Sequence, residues 1–318
     1  MEPFLAAAVQ ATPVFLDLDA TVDRVVDLVG EAAGRHARLV VFPETFVPGF
    51  PYWPRANPQP DRHKSFTALA QLSENALVLD SPAEQRIAAA AREHSVFVVV
   101  GVTEKDEAMS GTLFNTLLYY DDKGARIGHH RKLVPTFDEA CVWGRGDGSH
   151  LKVYDTDVGR ISGLICGNNR MPLAKAALQM AGEQIHVAVW PGYTDPEKLS
   201  LTCRAHAQDA GVYVIVSSSY LTADDIPADF VLRDETVWNV AGCSGIINPR
   251  GEWIAGPVVG AEEIVIGEID LSTIVAARGL GDVTGVYSRP DILRLSVQVS
   301  PQYQRGGPHT DEEWQVFA

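Results

Sequence analysis

The chain has 318 residues, of which 46% are hydrophobic and 21% charged, and its formal net charge is −15. This length is sufficient for one or two domains with a buried core, and the balanced composition excludes a fibrous or low-complexity protein. The acidity argues against nucleic acid or an anionic membrane as the main partner, and its simplest consequence is solubility. Because no apolar run could span a bilayer and the first residues do not resemble a signal peptide, we expect a cytoplasmic protein.

The cysteines are scattered, and neither a CxxC pair nor a cysteine–histidine set has the spacing of a zinc site. They are Cys141, Cys166, Cys203 and Cys243. Free thiols are the simplest interpretation in a cytoplasmic protein, so one of them is available for catalysis. We expect no metal and no organic cofactor.

Short apolar runs rich in β-branched residues alternate with patterns of helical period. In chain order, the predicted strands are 4–9, 39–42, 96–102, 113–120, 125–130, 160–165, 185–190, 212–217, 245–248, 253–257 and 265–269. The predicted helices are 18–33, with Asp17 or Asp19 as N-cap, 82–93, with Ser81 as N-cap, 172–181 and 196–210. This alternation is typical of an α/β fold with helices covering a central sheet. We expect one domain, 1–299, followed by an irregular tail, 300–318.

Glu44 directly follows the buried strand pattern Leu39 to Phe42 and the residue Pro43. Ligands of open α/β sheets bind at the carboxyl ends of strands, and burial there would raise the pKa of Glu44 toward the range of a general base. The alternative is an exposed glutamate in a loop. Lys132 closes another strand within the run His130-Arg131-Lys132. It either belongs to a solvated surface or points inward as a fixed positive charge that stabilises an anionic intermediate.

Cys166 stands at a predicted strand-to-helix elbow, with a strand before it and a helix beginning at Pro172. Such an elbow would expose the thiol near a helix N-terminus, where backbone amides favour the thiolate. The alternative is a buried structural cysteine, but the neighbouring glycine and asparagines disfavour a packed core position. We take the other three cysteines as structural.

Taken together, these segments resemble the nitrilase superfamily, and within it the nitrilase branch. The resemblance extends from Ala6 to about Leu295. Three motifs carry it, namely the loop from Pro43-Glu44 to Pro48-Gly49-Phe50-Pro51-Tyr52-Trp53, the segment from His130-Arg131-Lys132 through Glu139 to Gly146-Asp147-Gly148, and Asp282 to Asp291 with its Arg289-Pro290-Asp291.

The resemblance implies an α-β-β-α sandwich that pairs into dimers or larger homo-oligomers. It also implies hydrolysis of an organic nitrile to the carboxylic acid and ammonia, through a thioimidate on Cys166. Glu44 would be the base, Lys132 the catalytic lysine and Glu139 an additional active-site glutamate. We further expect Tyr52, Asn168, Trp190 and Pro191 to contact the substrate, although Trp190 could equally serve packing.

Two positions depart from the family pattern, which usually has glutamate at the position of Asn168 and histidine at that of Val286. These departures bear on substrate range and on the ratio of acid to amide. The rival functions are an amidase or carbamoyl-amide hydrolase, or a cyanide-converting enzyme, with the same three residues. A catalytically silent scaffold is a rival of a different class.

Overall fold

A computed structural model of the protein describes residues 2–56, 61–109, 111–279, 281–301 and 314–317. Two six-stranded sheets pack face to face, and helices cover their outer surfaces. The predicted α-β-β-α sandwich is confirmed. Within the described residues, no helix is both long and apolar enough to cross a membrane.

The first sheet combines parallel pairing at its centre with antiparallel pairing towards its edges. In spatial order its strands are β14 (Glu263–Ile269), β1 (Phe4–Gln10), β2 (Ala37–Val41), β3 (Phe97–Asp106), β4 (Thr112–Tyr120) and β5 (Arg126–Arg131). The second sheet is built in the same way around three parallel strands. Its spatial order is β13 (Trp253–Val258), β12 (Ser244–Ile247), β9 (Tyr213–Ser218), β8 (Ile185–Trp190), β7 (Gly159–Ile165) and β6 (Tyr154–Thr156).

Two short antiparallel pairs lie outside these sheets: β10 (Leu221–Thr222) with β11 (Asn239–Val240), and β15 (Leu295–Gln298) with β16 (Trp314–Phe317). The helices are α1 (Leu18–Gly34), α2 (Trp53–Ala56), α3 (Arg62–Glu74), α4 (Pro82–His94), α5 (Pro172–Met180), α6 (Pro196–Ala210) and α7 (Ser272–Arg278).

The period of two along each strand explains the layering, because successive side chains point to opposite faces of a sheet. On β1, Ala6 and Ala8 join the core between the two sheets, whereas Ala7 and Val9 pack under the outer helices α1 and α4. The sheets are also joined by hydrogen bonds, of which one runs from Ser217 Oγ to the Val9 carbonyl at 2.7 Å.

The predicted elements agree with the structure to within a few residues, and the N-cap of α1 is Asp17, which accepts from Ala20 N at 2.9 Å. The sequence patterns missed α2, α3, α7, β6 and the two short pairs. The prediction of an irregular tail is wrong for Trp314–Phe317, which forms a strand against Leu295–Gln298. The run Arg305 to Pro308 of that tail lies outside the described residues.

Candidate active site

Glu44 lies in a tight turn just beyond β2, and its side chain is completely buried. The turn is held against β3, since Phe42 N donates to Val99 O at 2.8 Å and Val47 N donates to Gly101 O at 3.2 Å. Gly101 is required here, because a Cβ at this position would lie 2.1 Å from the Pro43 carbonyl oxygen. The close approach of the two backbones thus fixes Glu44 at the edge of the sheet.

Lys132 follows β5 and is also fully buried. Its backbone N–H continues the pairing with β4 by donating to Asn115 O at 2.8 Å. Its ammonium group donates to Glu44 Oε1 at 2.7 Å and to Glu139 Oε2 at 2.5 Å. Since an ammonium has three N–H donors, one remains for a bound substrate.

Glu139 is presented by a short 3₁₀ helix, Phe137–Cys141, whose N-cap is Thr136. The carboxylate accepts from the backbone N–H of Thr136 at 2.7 Å, in addition to the bond from Lys132. One oxygen of Glu139 and one oxygen of Glu44 are buried without a hydrogen-bond partner. Both carboxylates therefore retain an acceptor that a substrate or a water molecule can use.

Cys166 directly follows β7 and begins the 3₁₀ helix Cys166–Arg170. Its φ of 49° is in the left-handed region, which is uncommon for a residue with a side chain and is concentrated at functional sites. Ligand atoms of Cys166, Glu44 and Glu139 all lie within 4.8 Å of one another. The three chain segments predicted from strand ends thus converge on one buried site.

The electrostatics of this site are governed by burial. Burial raises the pKa of Glu44 to about 7, against the attraction of Lys132, and Glu139 raises it further. Burial likewise raises the pKa of the Cys166 thiol to about 12, and Glu44 adds to this while Lys132 opposes it. Burial alone would lower the pKa of Lys132, but the surrounding anionic groups raise it. At neutral pH the site therefore holds a charged lysine, a thiol and a carboxyl group poised to exchange a proton.

The expectation of an exposed thiol with a depressed pKa is wrong. Cys166 is only 5% exposed, and loss of solvation outweighs the effects of Lys132 and of the elbow on the pKa of the thiol.

The Lys132 ammonium bridges the two carboxylates from which a metal ion would have to draw its ligands. These residues do not fit a divalent cation, because the ammonium already supplies the positive charge.

Sequence comparison identifies the family to which this arrangement corresponds. A sequence profile of carbon-nitrogen hydrolases matches residues 5–279. This chain belongs to the carbon-nitrogen hydrolase family. It is 37% identical to an aliphatic nitrilase of Rhodococcus rhodochrous, over 92% of this chain and 82% of that protein. It is 35% identical to a nitrilase of Paraburkholderia phymatum, over 93% of this chain and 87% of that protein.

The fold agrees with this assignment. A branch 10 member of the nitrilase superfamily from Saccharomyces cerevisiae superposes with a TM-score of 0.73 and 21% sequence identity, covering 90% of this chain and 96% of that one. The predicted resemblance to the nitrilase superfamily is confirmed, and the protein is a hydrolase acting on carbon–nitrogen bonds.

Asn168 differs from the glutamate usual in nitrilases, and its side chain is directed at the loop that follows Lys132. Its Nδ2 donates to Val134 O at 2.9 Å, and its Oδ1 accepts from Val134 N at 3.3 Å. This two-point bridge joins the segment that carries Cys166 to the segment that carries Lys132. The donor and acceptor that face Val134 are not available to a substrate.

The other residues predicted to contact the substrate divide into two groups. The Tyr52 hydroxyl donates to Pro191 O at 2.7 Å. Burial raises the pKa of Tyr52 and the charge of Glu44 adds to this, which places Tyr52 near Glu44. Trp190 is buried, and its indole lies beside the Cys203 thiol of α6. It therefore packs on the helical side of β8, which is the packing alternative for this residue.

Two features of the site were missed by the sequence analysis. Asn115, in the middle of β4, donates to Glu44 Oε1 at 2.6 Å. In the sequence it could have been noticed as the single amide side chain of a largely apolar strand. Asn169 donates to the carbonyl oxygens of Leu164 at 3.0 Å and Cys166 at 3.1 Å, and thereby holds the backbone around the thiol.

Val286, where the family usually has histidine, is 95% exposed in a surface loop.

Proposed function

We propose that this protein is a nitrilase, in which Cys166 is the nucleophile, Glu44 the general base and Lys132 the group that stabilises developing negative charge. The observation that carries the proposal is the position of the buried Lys132 ammonium between the carboxylates of Glu44 and Glu139, which lie within 4.8 Å of the Cys166 thiol. The sequence identity of 35–37% to proteins named nitrilase supports the substrate class.

The reaction begins with proton transfer from the Cys166 thiol to the ionised carboxylate of Glu44. The high thiol pKa makes this transfer unfavourable by itself, so it is coupled to attack of sulfur on the nitrile carbon. The nitrile nitrogen gains negative charge and takes the proton from Glu44, which gives a covalent thioimidate. The remaining N–H of Lys132 is suited to stabilise that nitrogen in the transition state.

Water completes the reaction in two additions. Glu44 removes a proton from the first water as its oxygen attacks the thioimidate carbon. That proton passes to the nitrogen, which becomes an amino group. The proton of the new hydroxyl group then moves to the amino group as the carbonyl forms, the carbon–nitrogen bond breaks, and departure of ammonia leaves a thioester. A second water attacks the thioester carbon, and departure of the Cys166 sulfur releases the carboxylic acid. Each cycle consumes one nitrile and two waters, and restores the thiol.

An amidase that uses the same three residues is the principal alternative, because a thioester is common to both reactions. The test is a panel of aromatic, arylaliphatic and aliphatic nitriles, each with its corresponding amide, assayed by ammonia release. We expect turnover of at least one nitrile at a rate above that of its amide. Release of ammonia from the amides alone would replace nitrilase by amidase, and formamide or formate from cyanide would identify cyanide conversion.

Covalent chemistry is tested separately by intact mass after rapid acid quenching. We expect an acyl or imidoyl adduct on the wild-type chain and none on Cys166→Ala. Cys141→Ala removes an exposed thiol and serves as the matched control. A chain that turns over nothing and forms no adduct would be the silent scaffold.

We also infer that the chain acts as a homodimer or larger assembly in the cytoplasm. The similarity to a family that pairs through a helical face supports this inference, and Leu173 on α5, just after the elbow, is 69% exposed. All four cysteines are unpaired, as suits a reducing compartment. A monomer mass by light scattering across a wide concentration range would contradict self-association.

A further inference from the structure

A chain of buried polar side chains runs behind the nucleophile, on the side away from Glu44 and Lys132. It consists of Asn169, His186 on β8, Glu183 just before β8, and His206 on α6. Each of these residues is at most 3% exposed. His186 Nε2 lies 2.9 Å from Asn169 Oδ1, and His186 Nδ1 lies 2.9 Å from Glu183 Oε2. His206 Nε2 lies 2.8 Å from the other oxygen of Glu183.

The protonation of His186 follows from its neighbours. Because Asn169 Nδ2 donates to the carbonyls of Leu164 and Cys166, the Asn169 oxygen must face His186 and accept from it. His186 Nε2 therefore carries a proton. A second proton must lie between His186 Nδ1 and Glu183 Oε2, since two lone pairs would otherwise meet at 2.9 Å.

Glu183 and His186 thus share one proton and form a pair of zero net charge. The remaining bonds of the carboxylate are accounted for, because Ser162 Oγ also donates to Oε2 and His206 donates to Oε1. Burial raises the pKa of Glu183, but His206 and His186 hold it well below its usual range. Burial and the neighbouring His206 lower the pKa of His186 to about 4, and Glu183 opposes them. The hydrogen-bond geometry nevertheless requires a proton between His186 Nδ1 and Glu183 Oε2, and it is this geometry that assigns the shared proton.

We propose that Asn169 and the Glu183–His186 pair are positioning residues that hold Cys166 in its left-handed backbone conformation. This inference rests on the role of Cys166 as nucleophile. Asn169 Nδ2 donates hydrogen bonds to the carbonyl oxygens of Leu164 and Cys166, which lie on either side of the Cys166 nitrogen along the backbone. The His186 proton fixes the amide in that orientation, and Glu183 fixes the imidazole. Without the pair, the amide can turn, and the strained conformation loses its restraint.

The same side chains suggest a competing interpretation. Glu183, His186 and His206 place three ligand atoms within 4.8 Å of one another, which is the donor set of a zinc site. A metal ion there would take the place of the shared proton. The two interpretations differ in a measurable way, because only the first leaves both His186 nitrogens protonated.

The experiment compares His186→Leu, which removes both contacts, with His186→Gln, whose amide can still donate to Asn169. The control is His206→Gln, which changes the hydrogen bond to the other oxygen of Glu183. Because His206 Nδ1 has no hydrogen-bond partner among the described residues, this substitution removes no hydrogen bond to the elbow. The readouts are kcat and KM for a nitrile and, independently of turnover, the rate at which iodoacetamide alkylates Cys166, followed by peptide mapping. The alkylation rate reports on the thiol even if no nitrile is a substrate, so failure of the proposed function remains distinguishable.

We expect His186→Leu to lower both kcat and the alkylation rate by about tenfold or more, with KM changed by less than about threefold. His186→Gln should recover most of this loss, and His206→Gln should stay within about twofold of wild type. A normal alkylation rate in a folded His186→Leu protein, or equal behaviour of the leucine and glutamine variants, would overturn the proposal.

If His186→Leu does not fold, ¹⁵N NMR of the wild-type protein decides. We expect His186 to show two protonated ring nitrogens or a proton shared with Glu183. An unprotonated His186 Nε2, or one equivalent of tightly bound zinc in dialysed protein, would refute the shared proton and with it the positioning role.

Discussion

The Lys132 ammonium donates to Glu44 Oε1 at 2.7 Å, and neither side chain has any access to solvent. A buried charge pair of this kind contributes little net stability, but loss of one partner is costly. Here the cost is increased by Glu139, whose carboxylate depends on the same ammonium. The arrangement is therefore better explained by catalysis than by stability.

Replacing Lys132 by methionine should abolish most activity and destabilise the fold. Two buried carboxylates would lose their counter-ion, so we expect a loss of about 3–5 kcal/mol in the free energy of unfolding at neutral pH. We also expect kcat to fall by about 10²–10³-fold, the typical effect of removing a charge-stabilising donor. Chemical denaturation and ammonia release measure the two effects. The exposed Lys123→Met is the control, and a stable, active Lys132→Met protein would contradict the mechanism.

Cys166→Ala should abolish turnover and retain the fold, because the proposed mechanism makes the thiol the covalent centre and its removal changes the side-chain volume only slightly. Cys243→Ala, which removes another buried thiol, should keep most of the activity. Circular dichroism checks the fold of both variants. If Cys243→Ala lost its activity and Cys166→Ala kept it, the assignment of Cys166 as the nucleophile would be wrong.

The pH dependence should report Glu44. Because this group must be ionised to accept a proton and its pKa is about 7, kcat/KM should rise with pH through about 7. Asn115 donates to the Glu44 carboxylate and so favours its ionised form. Asn115→Ala should therefore shift the acid limb to higher pH. If the acid limb of the pH profile does not shift in Asn115→Ala, the group that titrates there is not Glu44.

The ionisation of Glu44 should have the opposite effect on stability: activity rises with pH, whereas the free energy of unfolding falls. A carboxyl group whose pKa is raised on folding contributes stability that is present below its unfolded value of 4.5 and is lost as pH rises through about 7. The free energy of unfolding of the wild type, relative to that of Glu44→Gln, should accordingly decrease as the pH increases from 4.5 to 7.5. A difference that is independent of pH would show that Glu44 does not titrate in this range.

Gly101→Ala should damage the site through the backbone alone. The added Cβ would lie 2.1 Å from Pro43 O and 2.8 Å from Glu44 Cα, so the turn that carries Glu44 must move. We expect a loss of about 1–3 kcal/mol and a fall in kcat of about tenfold or more. Gly34→Ala is the matched control, because a Cβ there would meet no atom within 4 Å apart from its chain neighbours and the backbone of its own helix. Equal effects of the two substitutions would show that the Glu44 turn tolerates displacement.

The sequence patterns were most informative where a charged or reactive side chain directly follows the end of a predicted strand. Glu44, Lys132 and Cys166 each follow a regular strand pattern, so their convergence at one end of the sandwich could be predicted. The supporting contacts could not, because they join distant segments: Asn115 is 71 residues from Glu44, and His186 is 17 residues from Asn169. The thiol pKa was misjudged for the same reason. Local features suggest an exposed elbow, whereas its burial comes from packing against the rest of the fold.

The last prediction concerns the charge at position 168. Ammonia leaves the tetrahedral intermediate only when its nitrogen is protonated, whereas departure of the Cys166 sulfur releases an amide. A carboxylate at 168 would stabilise the protonated nitrogen electrostatically, since the surroundings are buried and weakly screened. The neutral Asn168, which is engaged with Val134, provides no such charge. Amide should therefore form a larger share of the product than in a variant with glutamate.

Asn168→Glu and Asn168→Gln test this prediction together, because both side chains have the same length and disturb the bridge to Val134 to a similar extent. Acid and amide from one nitrile are quantified by chromatography for both variants and for the wild type. We expect a lower amide fraction in Asn168→Glu than in Asn168→Gln, and a difference of about 1.4 kcal/mol between the two barriers would change the ratio about tenfold. An equal or higher amide fraction in the glutamate variant would show that Asn168 acts only by shaping the elbow through Val134.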